Sequence, residues 1–294
     1  MDKNISICGC GWLGLALAKS LVSDGYCVYG SKQNLDEVVG LKEYGIHGVQ
    51  LQLPLIDHSN NNLSNQIGHD NNDKYTKLNA FFSSDVLFIN LPPRRKPNSA
   101  QQFKHNVMQV SEQAKLHGIK KVIFISTTSV YADCHGEITE DTPTKPNTDS
   151  GQAHVWLENE LRQQWQDNLV VLRLSGLIGP DRHPAKHIVK RYLSSQEALD
   201  NGLTPVNLIH QHDIICAIQS ILQHWPERKV LHLSAHSHPT RADYYQAMAQ
   251  HLGLTQPEFV SNGENNKWIN TEQSYQALRL TLKYGDLMAF KPYE

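Results

Sequence analysis

Ile5-Ser6-Ile7-Cys8-Gly9-Cys10-Gly11-Trp12-Leu13-Gly14-Leu15-Ala16-Leu17-Ala18-Lys19-Ser20-Leu21 sets the fold class of this 294-residue chain. A short apolar run, a glycine-punctuated break and a longer apolar-periodic segment predict a buried strand, a tight turn and a helix. Within that frame each glycine of the G-x-G-x-x-G spacing has its own task. Gly9 permits the tight turn, Gly11 lets backbone approach a pyrophosphate, and Gly14 lets helix pack closely on strand. Phosphates would sit on unpaired N–H groups at the helix N-terminus, beside Trp12 and Leu13, where the helix dipole favours negative charge. Ser23-Asp24-Gly25 supplies a helix stop, and Tyr26-Cys27-Val28-Tyr29 a second strand. A strand-turn-helix that binds nothing is the ordinary alternative; the complete β-α-β spacing argues against it. The fold class expected is α/β, a doubly wound, mostly parallel sheet.

The second strand ends at Gly30-Ser31-Lys32, about twenty residues after the glycine turn, where an NAD site would carry an Asp or Glu for the ribose hydroxyls. Ser31 and Lys32 offer a hydroxyl and a cation instead, a pair suited to a 2′-phosphate, so NADP is expected over NAD. The alternative is a solvated Lys32. Val49 to Leu53 reads as a third strand stopped by Pro54, and the Asn-rich tract from His58 to Lys77 as a surface excursion without chemistry. Asp85 to Leu91 is an apolar run of strand length closed by Pro92-Pro93-Arg94-Arg95-Lys96-Pro97. Ligands of a doubly wound sheet bind outside the carboxyl ends of its strands. Leu91, Pro92 and Arg94 are therefore expected at the cofactor, and Arg95 at an anionic substrate, with solvated arginines as the alternative. Phe103, Val107, Val110 and Ala114 mark an amphipathic helix from Ala100 to His117.

Val122 to Ile125 is a buried strand that turns into Ser126-Thr127-Thr128-Ser129-Val130-Tyr131, a hydroxyl-rich end. A strand-end hydroxyl beside a nicotinamide can bond a substrate carbonyl; local backbone bonding is its competitor. Size and charge narrow the rest. The length accommodates a large α/β unit with a smaller appendage, and a net charge of −2 without a basic block argues against nucleic acid or an anionic membrane as partner. No signal peptide or spanning run is visible, and Cys8, Cys10, Cys27, Cys134 and Cys216 lack paired spacing, so reduced thiols in a cytoplasmic protein are expected. The pairs His210/His212 and His236/His238 invite a metal, yet no acidic or thiol ligand stands in register with them, and none is expected.

The run Ser126 to Tyr131, with Thr142-Pro143-Thr144-Lys145-Pro146 and the glycine turn, resembles the extended short-chain dehydrogenase/reductase superfamily of nucleotide-sugar epimerases and dehydratases. Gly11-Trp12-Leu13-Gly14, Leu91 to Arg95, Ser129-Val130-Tyr131, Asn147 to Gly151, Gly179 to Pro184 and Val206 to His210 resemble its atypical, YeeZ-like NAD(P)-binding branch. The resemblance implies a Ser or Thr, a Tyr and a Lys, the last two spaced Y-x-x-x-K so that the Lys tunes the Tyr for proton transfer. Thr127 matches the first position and Ser126 lies at the cofactor, but Ser150 stands where the Tyr belongs and His154 where the Lys belongs. Tyr131 remains as the acid/base candidate, and His154 as a titratable or merely surface residue. Glu158 matches a helix acid of the family. Cys8 occupies a position where extended relatives carry glycine, so the turn is closer to the dehydrogenase form.

By the same resemblance, residues 1–175 form the cofactor domain and 176–294 a smaller substrate domain, with 206–223 packing back on the first. Arg182 and His183 on the 175–184 loop are candidates for gripping a phosphate or carboxylate, with solvated loop residues as the alternative, and Asp213 for an N-cap of a helix from Ile214 to His224. Two functions fit: an NADP-dependent oxidoreductase, epimerase or dehydratase acting on a small polar substrate such as a nucleotide-sugar, or a non-enzymatic NADP(H)-binding redox sensor. The partners expected are a small-molecule substrate and, for a homodimer, a second copy.

Overall fold

The computed structural model describes residues 4–55, 77–93, 99–131, 136–263 and 266–292. In chain order the elements are β1 (Asn4–Cys8), α1 (Trp12–Ser23), β2 (Cys27–Lys32), α2 (Leu35–Gly40), β3 (His47–Gln50), β4 (Val86–Ile89), α3 (Ser99–Leu116), β5 (Lys121–Thr127), β6 (Glu137–Ile138) and α4 (Asp149–Trp165). There follow β7 (Leu169–Leu174), β8 (Gly176–Ile178), α5 (Ala185–Ser195), β9 (Leu208–His210), α6 (Gln211–Gln223), β10 (Val230–Leu233), α7 (Arg241–His251), β11 (Trp268–Ile269) and α8 (Glu272–Leu278).

A seven-stranded sheet has the order β10-β7-β5-β4-β1-β2-β3. β1 lies between β2 and β4 and runs parallel to both, with Ile5 opposite Val28 on one side and Val86 on the other. β3 extends the sheet beyond β2 and β5 extends it beyond β4, again in parallel. The chain thus winds outward from β1 in one direction and then in the other, and the order reverses between β1 and β4. Parallel strands need crossover helices that cover their faces, so their residues are buried on both sides, as throughout β4 and β7. β10 joins this sheet at its edge, so the sheet takes in residues well beyond Ser175; a four-residue run carries no pattern that says which sheet it enters.

The chain forms two compact units, Met1–Ser126 with Thr148–Val171, and Thr127–Asn147 with Leu172–Glu294. In the first, Ile5, Ile7, Leu17, Leu21, Val28, Phe88, Val107, Val110, Val122, Phe124 and Leu157 form the core. The stop after α1 is a Schellman motif: Gly25, at φ +85°, donates to Val22 O, and Tyr26 N–H donates to Leu21 O at 3.0 Å. α4 begins at Asp149 because Thr148 caps it by accepting the Gly151 N–H at 3.1 Å. In the second unit, β8 pairs with β9 and β11 with β6, both parallel. Ile178, Leu208, Tyr244, Met248, Tyr284, Leu287 and Phe290 make its apolar centre.

Asp213 does not cap its helix. α6 starts at Gln211 with His210 as N-cap, its Nδ1 accepting the His212 N–H at 3.1 Å. Asp213, 1 % exposed, instead accepts the amides of Lys283 and Tyr284 at 2.9 and 3.0 Å, tying a loop seventy residues downstream to the helix. Among the described residues no helix is long and apolar enough to cross a membrane.

Candidate functional site

The carboxyl ends of β1 and β4, where the strand order reverses, carry the glycine turn and the start of the Leu91-Pro92 segment. This is the place at which open α/β sheets bind ligands. Gly9 has φ +99°, and a Cβ there would lie 2.5 Å from Asn90 O; a Cβ on Gly14 would lie 2.2 Å from Gly9 O. Both glycines are thus demanded by the chain itself, one by backbone conformation and strand contact, the other by helix-on-strand packing. Gly11 differs. Its φ is −77°, which any residue adopts, and a Cβ added to it meets nothing within 4 Å. It is also the N-cap of α1, and among the described residues no side-chain hydrogen bond caps that helix, which is the setting in which a helix N-terminus receives an anion.

Ser31 ties the turn to β2. Its Oγ accepts the Gly9 N–H at 3.0 Å and its carbonyl accepts the Cys10 N–H at 3.0 Å. The side chain is buried and its hydroxyl also bonds the Cys8 thiol, so Ser31 braces β1, the turn and β2 against one another. Cys8 and Cys10 are fully buried and burial pushes both thiols up to about 12, so they pack as small apolar groups.

A cavity of about 550 Å³ opens over this turn, within the usual range for small-molecule sites. It brings together Gly9, Gly11, Ser31, Lys32, Leu91 and Pro92, which the sequence pattern assigns to the cofactor. Trp12, Leu13 and Gly14 follow directly in α1; Leu13 faces the core at 3 % exposure. Leu51 and Leu53 after β3 form part of the wall, as do Gln102, Phe103 and Asn106 from α3. Sequence reading left these out, although the strand-end rule that singled out Leu91 applies equally to the end of β3. Lys32 and Glu37 are the charged residues among the described lining, and Lys32 Nζ lies 3.5 Å from Glu37 Oε1. Arg94 and Arg95 lie outside the described residues.

The proton-transfer positions give a different picture. His154 is not on the surface: it is 5 % exposed, its ring centroid 4.9 Å from that of Phe103 and 6.2 Å from that of Phe124. Its Nδ1–H donates to Ser150 O at 2.7 Å, one helical turn back, and burial holds its pKa below the ordinary value against the pull of that carbonyl and Glu158. Ser126 is likewise interior, its hydroxyl donating to Glu158 Oε1 at 2.5 Å and so fastening β5 to α4.

In the second unit, Thr127 Oγ1 accepts the Ser129 N–H and donates to Ser129 Oγ, both at 3.1 Å. Ser129 is exposed and its own hydroxyl proton is free for an outside acceptor. Tyr131 is 2 % exposed. Its phenol donates to His232 Nε2 at 2.6 Å and accepts from Arg173 Nη1 at 2.7 Å. His232 is held in that tautomer because its Nδ1–H donates to Asn270 O at 3.0 Å. The phenol expected as the acid/base is therefore an interior strut.

Arg182 is exposed on a tight turn closed by two backbone bonds with Gly179. His183 next to it is turned inward: Nδ1 accepts the Ala185 N–H at 3.2 Å and Nε2–H donates to the Tyr244 hydroxyl at 2.8 Å. Burial, with Lys186 nearby, brings its pKa down to about 4. A neutral ring with both nitrogens engaged has no capacity left for an anion, which corrects the expectation that His183 grips a substrate.

Residues 86–232 match the sequence model of the NAD dependent epimerase/dehydratase family. The chain is 35 % identical to Protein YeeZ of Escherichia coli (strain K12) over 265 residues, 90 % of this chain and 89 % of that one. Its backbone resembles that of UDP-glucuronic acid 4-epimerase from Bacillus cereus in complex with NAD, with TM-score 0.72 at 18 % identity over 99 % of this chain and 95 % of the other. It also resembles dTDP-glucose 4,6-dehydratase from Bacillus anthracis in complex with NAD, with TM-score 0.71 at 18 % identity over 97 % and 94 %.

Proposed function

The chain belongs to the NAD dependent epimerase/dehydratase family, and from that premise we propose that its cleft holds NADP(H) and that it acts on a small polar substrate of the nucleotide-sugar kind. The observation that carries the reading is Gly11: nothing among the described residues requires a glycine there, and the open space beside it lies over a helix N-terminus without a side-chain cap among those residues. A pyrophosphate fills such a cradle and takes up its amides. Ser31 and Lys32, a hydroxyl and a cation at the end of β2, favour the 2′-phosphate form.

Bound there, a nicotinamide supplies hydride donation and acceptance. The chain's own contribution is positioning. Thr127 orients the Ser129 hydroxyl, which donates to a substrate oxygen. Tyr131, braced by Arg173 and His232, is a positioning residue that fixes the turn carrying them.

A turnover panel of nucleotide-sugars and small carbonyl compounds with NADPH tests this. Turnover that falls by at least about tenfold in Thr127→Ala and Ser129→Ala supports it. Tight NADPH binding without turnover on any compound contradicts it and favours the second reading, a non-enzymatic NADP(H)-binding redox sensor. The observation behind that second reading is the pair Ser150 and His154, which puts a buried imidazole among aromatic rings where the resembled enzymes place a phenol and an ammonium.

A further inference from the structure

Two charged residues line the described part of the dinucleotide cleft, and they face each other. Lys32, at the end of β2, has a side chain 21 % exposed; Glu37, in the first turn of α2, has one 56 % exposed and reaches back to within 3.5 Å of the lysine. α2 is held at the angle that allows this by Asn34, whose Oδ1 accepts the Asp36 N–H at 2.8 Å. Gln33 and Ser31 lie beside the pair on the same wall. The charge of Lys32 also reaches the glycine turn, where it pulls the Cys10 thiol down against its burial.

We infer that Glu37 sets the cofactor preference of this cleft, acting as an internal rival that holds Lys32 until a 2′-phosphate displaces it. The inference rests on reading the cleft as an NADP(H) site. A 2′-phosphate carries about −1.5 to −2 charges near neutral pH, by analogy with other phosphate monoesters. Beside Lys32 it gains an attraction only by breaking the Lys32–Glu37 pair, and it then sits close to a carboxylate of its own sign. NAD(H), which has a hydroxyl at that position, leaves the pair intact. The acid therefore weakens NADP(H) selectively and leaves NAD(H) alone, keeping the preference between the two cofactors narrower than Lys32 by itself would make it. As the pair is partly exposed, its effect is modest and falls with added salt.

Equilibrium titrations of NADPH and NADH into the full chain, as wild type, Glu37→Gln, Lys32→Ala and Lys32→Ala/Glu37→Gln, test it. Glu37 is solvent-facing on a short helix, so folding is checked by thermal melting and is expected unchanged. Glu37→Gln is expected to tighten NADPH about two- to fivefold, to move NADH less than about twofold, and to have a smaller effect on NADPH once Lys32 is alanine, where only the like-charge repulsion is left to relieve. NADPH affinity unchanged or weakened in Glu37→Gln overturns the inference. So does a loss of NADH affinity in that variant, which makes Glu37 a ribose-hydroxyl acceptor; the dinucleotide reading then still stands. Wild-type chain that binds neither cofactor removes the reading of the cleft and the inference with it.

Discussion

Substituting alanine at the three glycines of the opening turn separates what folding demands from what a ligand demands. Gly11→Ala introduces a methyl with nothing within 4 Å and no φ penalty. Alanine is the poorer N-cap by about 1 kcal/mol, and the smaller conformational freedom of the unfolded chain offsets roughly 0.4–1 kcal/mol, so stability moves by less than about 0.5 kcal/mol. In the proposed cofactor site the same methyl would stand where phosphate oxygens approach the helix N-terminus. Losing one or two charge-assisted N–H bonds, at about 1.5–3 kcal/mol each, weakens NADPH by ten- to several-hundredfold or more. Gly14→Ala puts its Cβ 2.2 Å from Gly9 O, a backbone atom that cannot swing away, and costs about 1–3 kcal/mol. Gly9→Ala adds a φ of +99° to a 2.5 Å contact and costs at least as much. Urea denaturation and NADPH titration of each variant form the assay. Gly11→Ala that unfolds as readily as Gly14→Ala, or that binds NADPH like wild type, refutes the reasoning.

Three further outcomes follow from the interior of the second unit. His183 and His210 both have pKa values lowered to about 4, so between pH 6.5 and 4 the unfolded chain binds more protons than the folded one. Stability is full above pH 6.5 and is lost as pH falls toward 4, by about 1–3 kcal/mol for each ring; urea midpoints across that range should fall, and less steeply in His183→Gln, which can keep the bond to Tyr244. Tyr131→Phe removes the acceptor of the Arg173 Nη1 bond and the donor to His232 Nε2, and should lower the unfolding free energy by about 1–3 kcal/mol, read from urea midpoints. Asp213→Asn replaces one of the two carboxylate acceptors by an amide donor, so it should destabilise by about 1–2 kcal/mol and speed amide exchange at Lys283 or Tyr284.

What the sequence made legible is what local pattern controls. The glycine turn, the apolar strands β4 and β5, the amphipathic α3 and the Schellman stop at Gly25 each depend on neighbours within a few residues, and each stands where the pattern puts it. The fold class followed, since strands alternating with helices close into a parallel sheet. The histidines were illegible for the opposite reason. His183 meets Tyr244 across 61 positions and Tyr131 meets His232 across 101, and nothing in either neighbourhood announces the partner. Asp213 looks like an N-cap from its place before an apolar run, yet its partners are amides 70 and 71 positions on. Glu37 escaped notice because an acid in a first helical turn is ordinary; only the fold brings it to Lys32.

Calorimetric titration of NADPH and NADH into the wild-type chain shows whether the cleft is a dinucleotide site, since cradle, cation and open glycine all point to one ligand. Saturable binding of one NADPH per chain, tighter than NADH and abolished or severely weakened in Gly11→Ala, is expected. Absence of saturable binding by either dinucleotide, or binding that Gly11→Ala leaves untouched, contradicts the dinucleotide reading of the cleft.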